Sequence, residues 1–87
     1  MEEVKQKLEA AILQVYGVKT DVVVTVAPED TGADFASNVA MQLAKLVHKA
    51  PVAIAEELKD ALLADAEASG MAWRVEIAGP GFMNFIS

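Results

Sequence analysis

Phe82 and Asn84 are the residues whose types and spacing best suit a chemical task in this 87-residue chain. Two positions apart on an extended strand, they project from one face. An aromatic ring beside a carboxamide suits an unstacked nucleobase. The ring offers a stacking surface worth about 1–3 kcal/mol per base, and the amide both donates to and accepts from the base edge. The plainer alternative is a strand residue packed under a neighbour, next to an edge polar residue. Other candidate RNA contacts are Arg74, on the same strand face, and Lys45 with Lys49, one helical turn apart and suited to phosphate or simply solvated. Asn38 admits three readings: a brace between loop and sheet, placed first, a helix-start residue, or an RNA contact.

No catalytic arrangement accompanies these residues. There is no nucleophile elbow, no phosphate-binding loop, and His48 as the single histidine cannot form a histidine pair. The absence of cysteine removes disulfides and thiolate metal sites. Glu29, Asp30 and Asp34 lack EF-hand spacing and read as a solvated acidic loop. Gly79-Pro80-Gly81 lies between strands, unlike a dinucleotide loop that opens a helix. The chain by itself is therefore expected to be non-catalytic, with no metal site and no cofactor.

The elements that must position Phe82 and Asn84 begin with a hairpin. Gly79, Pro80 and Gly81 combine a fixed φ with two residues that tolerate φ > 0, as a chain reversal requires. A three-residue loop pairs Ala78 with Phe82, Ile77 with Met83, Glu76 with Asn84 and Val75 with Phe85. That register gathers Val75, Ile77, Met83 and Phe85, extended by Trp73, on a core face. It leaves Arg74, Glu76, Phe82 and Asn84 outward, with Ile86 at the edge.

Upstream, Val4, Leu8, Ile12 and Val15 recur at helical spacing over about 2–16, a helix ended by Gly17 whose stripe is expected to pack on the sheet. Residues 21–27 are β-branched and alternating, hence a strand; 28–32 form a loop, and a further strand near 31–35 is expected. Asp34 or Ser37 is positioned to cap a second helix with a stripe of Val39, Leu43, Leu46 and Val47. His48 reads as a surface residue in its last turn. Pro51 starts a third helix, buried along Ile54, Leu58, Ala61 and Leu62, with Glu56, Glu57, Lys59 and Asp60 in water and Gly70 as terminator. The order predicts an α+β two-layer sandwich: an antiparallel sheet of three or four strands with about three helices on one face.

Size and composition are consistent with one domain. The chain is 54% hydrophobic, without low-complexity runs, and is expected to fold. The acidic start, Met1-Glu2-Glu3, does not resemble a signal peptide, and no apolar run reaches membrane-span length, so the expected compartment is the cytoplasm with no membrane partner. A net charge of -6 argues against DNA and against indiscriminate phosphate binding, and predicts weak RNA binding by this piece without help from other domains.

The run Val75-Glu76-Ile77-Ala78-Gly79-Pro80-Gly81-Phe82-Met83-Asn84-Phe85 resembles the end of the N-terminal additional domain of arginyl-tRNA synthetases, departing at Met83, where the family carries a branched aliphatic residue. Asp34-Phe35-Ala36-Ser37-Asn38 resembles that family's Gly-Asp-Tyr-x-x-Asn segment, although Gly32 is here separated from Asp34 by Ala33. Ile54-Ala55-Glu56-Glu57-Leu58 looks like the next helix. The resemblance implies an α/β two-layer fold with a four-stranded sheet, and a module that leans on the elbow of tRNA(Arg). It implies that Phe82 stacks on a D-loop base and Asn84 hydrogen-bonds to it. The parent enzyme so implied attaches L-arginine to tRNA with ATP and magnesium ion, through a catalytic domain whose His-Ile-Gly-His and Lys-Met-Ser-Lys type signatures this chain lacks. That domain is expected to begin near Ser87. The competing expectation is a protein-interaction module using the exposed sheet face or the first helix.

Overall fold

A computed structural model of the chain describes residues 2–69 and 74–86. Three helices, α1 (Glu2–Tyr16), α2 (Val39–Val47) and α3 (Pro51–Ser69), cover one side of a four-stranded sheet of β1 (Thr25–Val26), β2 (Phe35–Ser37), β3 (Arg74–Ala78) and β4 (Phe82–Ile86). The strand order is β1-β2-β4-β3 and every pairing is antiparallel. This is the expected α+β architecture.

The hairpin forms in the predicted register, with Ala78 opposite Phe82, Glu76 opposite Asn84 and Val75 opposite Phe85. Both turn glycines take positive φ, 56° at Gly79 and 138° at Gly81, and the Gly81 N–H donates to the Ala78 carbonyl at 3.3 Å. Alternation then sends Val75, Met83 and Phe85 into the core, while Phe82 stays 43% exposed. Trp73 and Gly70 lie outside the described residues.

The core is one cluster in which Leu8 and Ile12 of α1, Val39 and Leu43 of α2, and Ile54 and Leu58 of α3 meet Val75, Met83 and Phe85 of the sheet. α2 and α3 lie directly on β3 and β4, and α1 packs closely against α3 with its buried stripe in the same core as the sheet residues. Val15 and Leu46, expected in the buried stripes, are exposed; Ala11 and Ala40 occupy the core in their place. Small residues at these positions let helices approach each other closely.

Two strand assignments shift. Only Thr25–Val26 of the run 21–27 pairs with β2, because β2 ends at Ser37 and the chain beyond it turns into α2, leaving Val22 and Val23 nothing to pair with. Val22 instead enters the core beside α1, its N–H directed at the Glu9 carboxylate at 3.4 Å. The strand anticipated near 31–35 forms at Phe35–Ser37; a single 3-10 turn at Glu29–Thr31, ended by Gly32 at φ 71°, takes the earlier part. The backbone of Asp34 joins the sheet margin. Its N–H donates to the Phe85 carbonyl at 2.9 Å, and its own carbonyl accepts from Ala27 at 3.2 Å.

Ser37 performs the capping and, with it, the bracing assigned to Asn38. Its hydroxyl donates to the Val23 carbonyl at 2.8 Å and accepts from the Val39 N–H at 3.2 Å. Asn38 stands at the helix-start position with no side-chain cap, so the helix-start reading holds and the brace reading does not.

Candidate functional site

The sheet face away from the helices carries a concavity of about 410 Å³. Phe82, Asn84, Ala36 and Ala78 form its floor, and Pro28, just before the 3-10 turn, and Thr31, at its end, border it. The cross-strand row Thr25, Ala36, Asn84 and Glu76 explains the shape: Ala36 sits directly opposite Asn84 and leaves space above the sheet where a larger side chain would fill it.

Polar groups in the concavity fall into two sets. The hydroxyls are committed to backbone: Thr25 to the Ala36 carbonyl at 3.4 Å, Thr31 to the Pro28 carbonyl at 2.6 Å, and Ser37 to Val23. The Thr31 hydroxyl also accepts from the Ala33 N–H at 3.2 Å, which pins the wall of the groove. The Asn84 carboxamide makes no hydrogen bond among the described residues. An exposed ring next to an uncommitted, half-buried amide can accept a flat heteroaromatic group: stacking on the ring, hydrogen bonds to the amide.

Of the residues singled out in the sequence, the fold brings Phe82, Asn84 and Asn38 to this one concavity. Arg74 lies on the same face at the far end of β3, paired with Ile86, and its guanidinium is 3.6 Å from Glu76. Lys45 is exposed near the end of α2 and does not border the concavity. Lys49 is not its helical partner, because α2 ends at Val47 and His48 reverses the chain at φ 55°. The Lys49 ammonium instead ion-pairs with Glu57 and lies 5.9 Å from the centre of the Tyr16 ring. Tyr16 donates to Glu57 at 2.7 Å, so Glu57 is a bonded, half-buried junction and not a solvated carboxylate.

The electrostatics of that junction follow from its contacts. The hydrogen bonds from Lys49 and then Tyr16 hold the Glu57 carboxyl below the usual carboxylate range. Burial, then the hydrogen bond and negative charge of Glu57, push the Tyr16 phenol well above its ordinary value. Sequence reasoning missed this junction, although a lone tyrosine ending α1 and an i, i+8 Lys–Glu pair across a helix break were available as signals. Among the described residues no group of three or more His, Cys, Asp or Glu is placed to hold a metal ion. No helix among them is long and apolar enough to cross a membrane.

Residues 2–86 match the family model described as the arginyl tRNA synthetase N terminal domain. Arginine--tRNA ligase 1 of Halalkalibacterium halodurans is 42% identical over 93 residues, covering 98% of this chain and 16% of that protein. Arginine--tRNA ligase of Thermotoga maritima is 38% identical over 82 residues, covering 94% of this chain and 14% of that one. The solved arginyl-tRNA synthetase of Thermus thermophilus superposes with a TM-score of 0.68 at 32% identity, covering 98% of this chain and 13% of the larger one. The chain thus spans 14–16% of the length of these curated relatives.

Proposed function

This chain belongs to the arginyl tRNA synthetase N-terminal domain family, and on that premise we propose that its outer sheet face receives an unstacked base from the D-loop of tRNA(Arg). Phe82 is the stacking surface and Asn84 the hydrogen-bonding group. The parent protein attaches L-arginine to tRNA with ATP and magnesium ion, in the cytoplasm, through a catalytic domain; this module contributes recognition and no chemistry. Arg74, at the margin of the face, and Lys45, beyond it, are further candidates for RNA contact.

The observation that carries this reading is the pairing of an exposed aromatic ring with an uncommitted amide in one concavity. Net charge -6 and carboxylates at Glu29 and Asp30 beside the groove supply no general attraction for phosphate, so binding rests on the base.

Kinetics test it. In a full-length arginyl-tRNA synthetase carrying this domain, Phe82→Ala and Asn84→Ala are expected to raise KM for tRNA or lower kcat/KM by about 5- to 100-fold, the range that loss of a base stack or amide contact implies. Rates for both variants equal to the parent's would remove the assignment.

A further inference from the structure

We propose that Asn38 is a second base-reading group, bordering the same concavity as Asn84 at a different corner, so that the bound nucleobase is contacted on two edges and not one. This rests on the reading of the groove as a base site.

The argument is an accounting of hydrogen bonds. An asparagine at the residue before a helix ordinarily accepts from a backbone N–H in the first turn. Asn38 does not: its side chain makes no cap, and the Val39 N–H is taken by the Ser37 hydroxyl instead. Ser37 is buried at 3% exposure and also ties Val23, so the structural work at this joint is complete without Asn38. Asn38 is exposed, borders the concavity with Phe82 and Asn84, and among the described residues its side chain is held only by the Gln42 amide, whose Nε2 donates to its Oδ1 at a long 3.4 Å. Its own Nδ2 has no acceptor among the described residues.

Register places the two amides at different corners of the site. Asn84 stands opposite Ala36, and Asn38 lies two residues beyond Ala36, one past the Ser37–Met83 pair. A base stacked on Phe82 therefore has a carboxamide at each of two corners. Each amide offers a donor and an acceptor, while the hydroxyls around them are already engaged. Two edges read together distinguish bases that one edge leaves alike. The ligand is a neutral heteroaromatic base with polar groups on two sides, its phosphates turned away from Glu29 and Asp30.

The test is an NMR titration of this chain with an RNA hairpin carrying the D-arm sequence of a tRNA(Arg), and with the same hairpin made abasic at each loop position in turn. In the wild-type chain the side-chain NH₂ resonances of both Asn38 and Asn84 are expected to shift with the intact hairpin. One abasic hairpin is expected to fail to shift either. Asn38→Ala is expected to bind the intact hairpin about 5- to 30-fold more weakly, to shrink the preference over that abasic hairpin by the same factor, and to melt within about 2 °C of wild type, because Ser37 holds the joint. If Asn38→Ala binds like wild type and the Asn38 NH₂ does not move, while Phe82→Ala and Asn84→Ala lose affinity, the second reading group is overturned and the base site stands. If those two variants also bind like wild type, both fall.

Discussion

Gly81 lies against Pro51: a Cβ placed on the glycine would stand 2.8 Å from the Pro51 Cβ and 3.2 Å from its carbonyl carbon. The hairpin turn that sets Phe82 is thereby seated on the first residue of α3. No side chain fits there, and φ 138° disfavours any L residue besides. The turn is positioned by contact with a helix end as well as by its own two glycines.

Gly81→Ala is accordingly expected to destabilise the chain by about 2–3 kcal/mol, combining backbone strain with overpacking. At this size that lowers the melting temperature by roughly 10–20 °C, measured by circular dichroism. Gly79→Ala meets only Cδ2 of the Phe82 ring, at 3.6 Å, and carries the positive-φ penalty without the collision, so it is expected to cost less.

Adjacent residues on β4 should separate stability from recognition. Met83 is fully buried, and Met83→Ala is expected to cost about 2–5 kcal/mol in urea unfolding. Phe82→Ala removes a ring that is 43% exposed and should cost about 1 kcal/mol or less while abolishing most RNA affinity.

That contrast was legible in the sequence because one loop length makes a consistent sheet: three residues at 79–81 gather the apolar residues on one face. The helices were equally legible where apolar residues recur every three to four positions, as at Leu8 and Ile12 or Ile54 and Leu58. What periodicity does not encode is where a partner strand ends. Val22 and Val23 carry strand-like side chains, yet β2 stops at Ser37 and nothing remains to pair with them. Nor does spacing tell which of two neighbouring polar residues turns inward: the brace expected of Asn38 is made by the buried Ser37. Lys49 falls outside the helix that its spacing from Lys45 suggests, because a left-handed His48 ends the helix before it.

Ser37→Ala tests the brace. It deletes a hydrogen bond to Val23 and leaves the Val39 N–H without its acceptor, and is expected to cost about 2 kcal/mol by chemical denaturation. Ser37→Thr, which keeps the hydroxyl, should recover part of that loss.

The Tyr16–Glu57–Lys49 junction gives stability a pH dependence with a definite sign. The folded-state carboxyl of Glu57 lies below its unfolded value of 4.5, so its contribution is present above that value and is lost as pH falls through the lower folded value. Melting temperature should therefore fall on acidification more in the wild type than in Glu57→Gln. Tyr16 has the opposite sense: its phenol is raised, so stability is present below the ordinary tyrosine range and lost as pH rises above it. As the chain contains one tyrosine, phenolate absorbance reports Tyr16 directly. Glu57→Gln is expected to move that titration part of the way back, burial accounting for the remainder.

The claim that the outer face grips a base is tested most directly by following the backbone amides of this chain while tRNA(Arg) is added. Shifts concentrated at Phe82, Met83 and Asn84, little changed as salt is raised because no lysine lines the concavity, are the predicted result. Shifts confined to residues around Lys45 and Lys49 and erased by salt, or no shift on β4 at all, would contradict it.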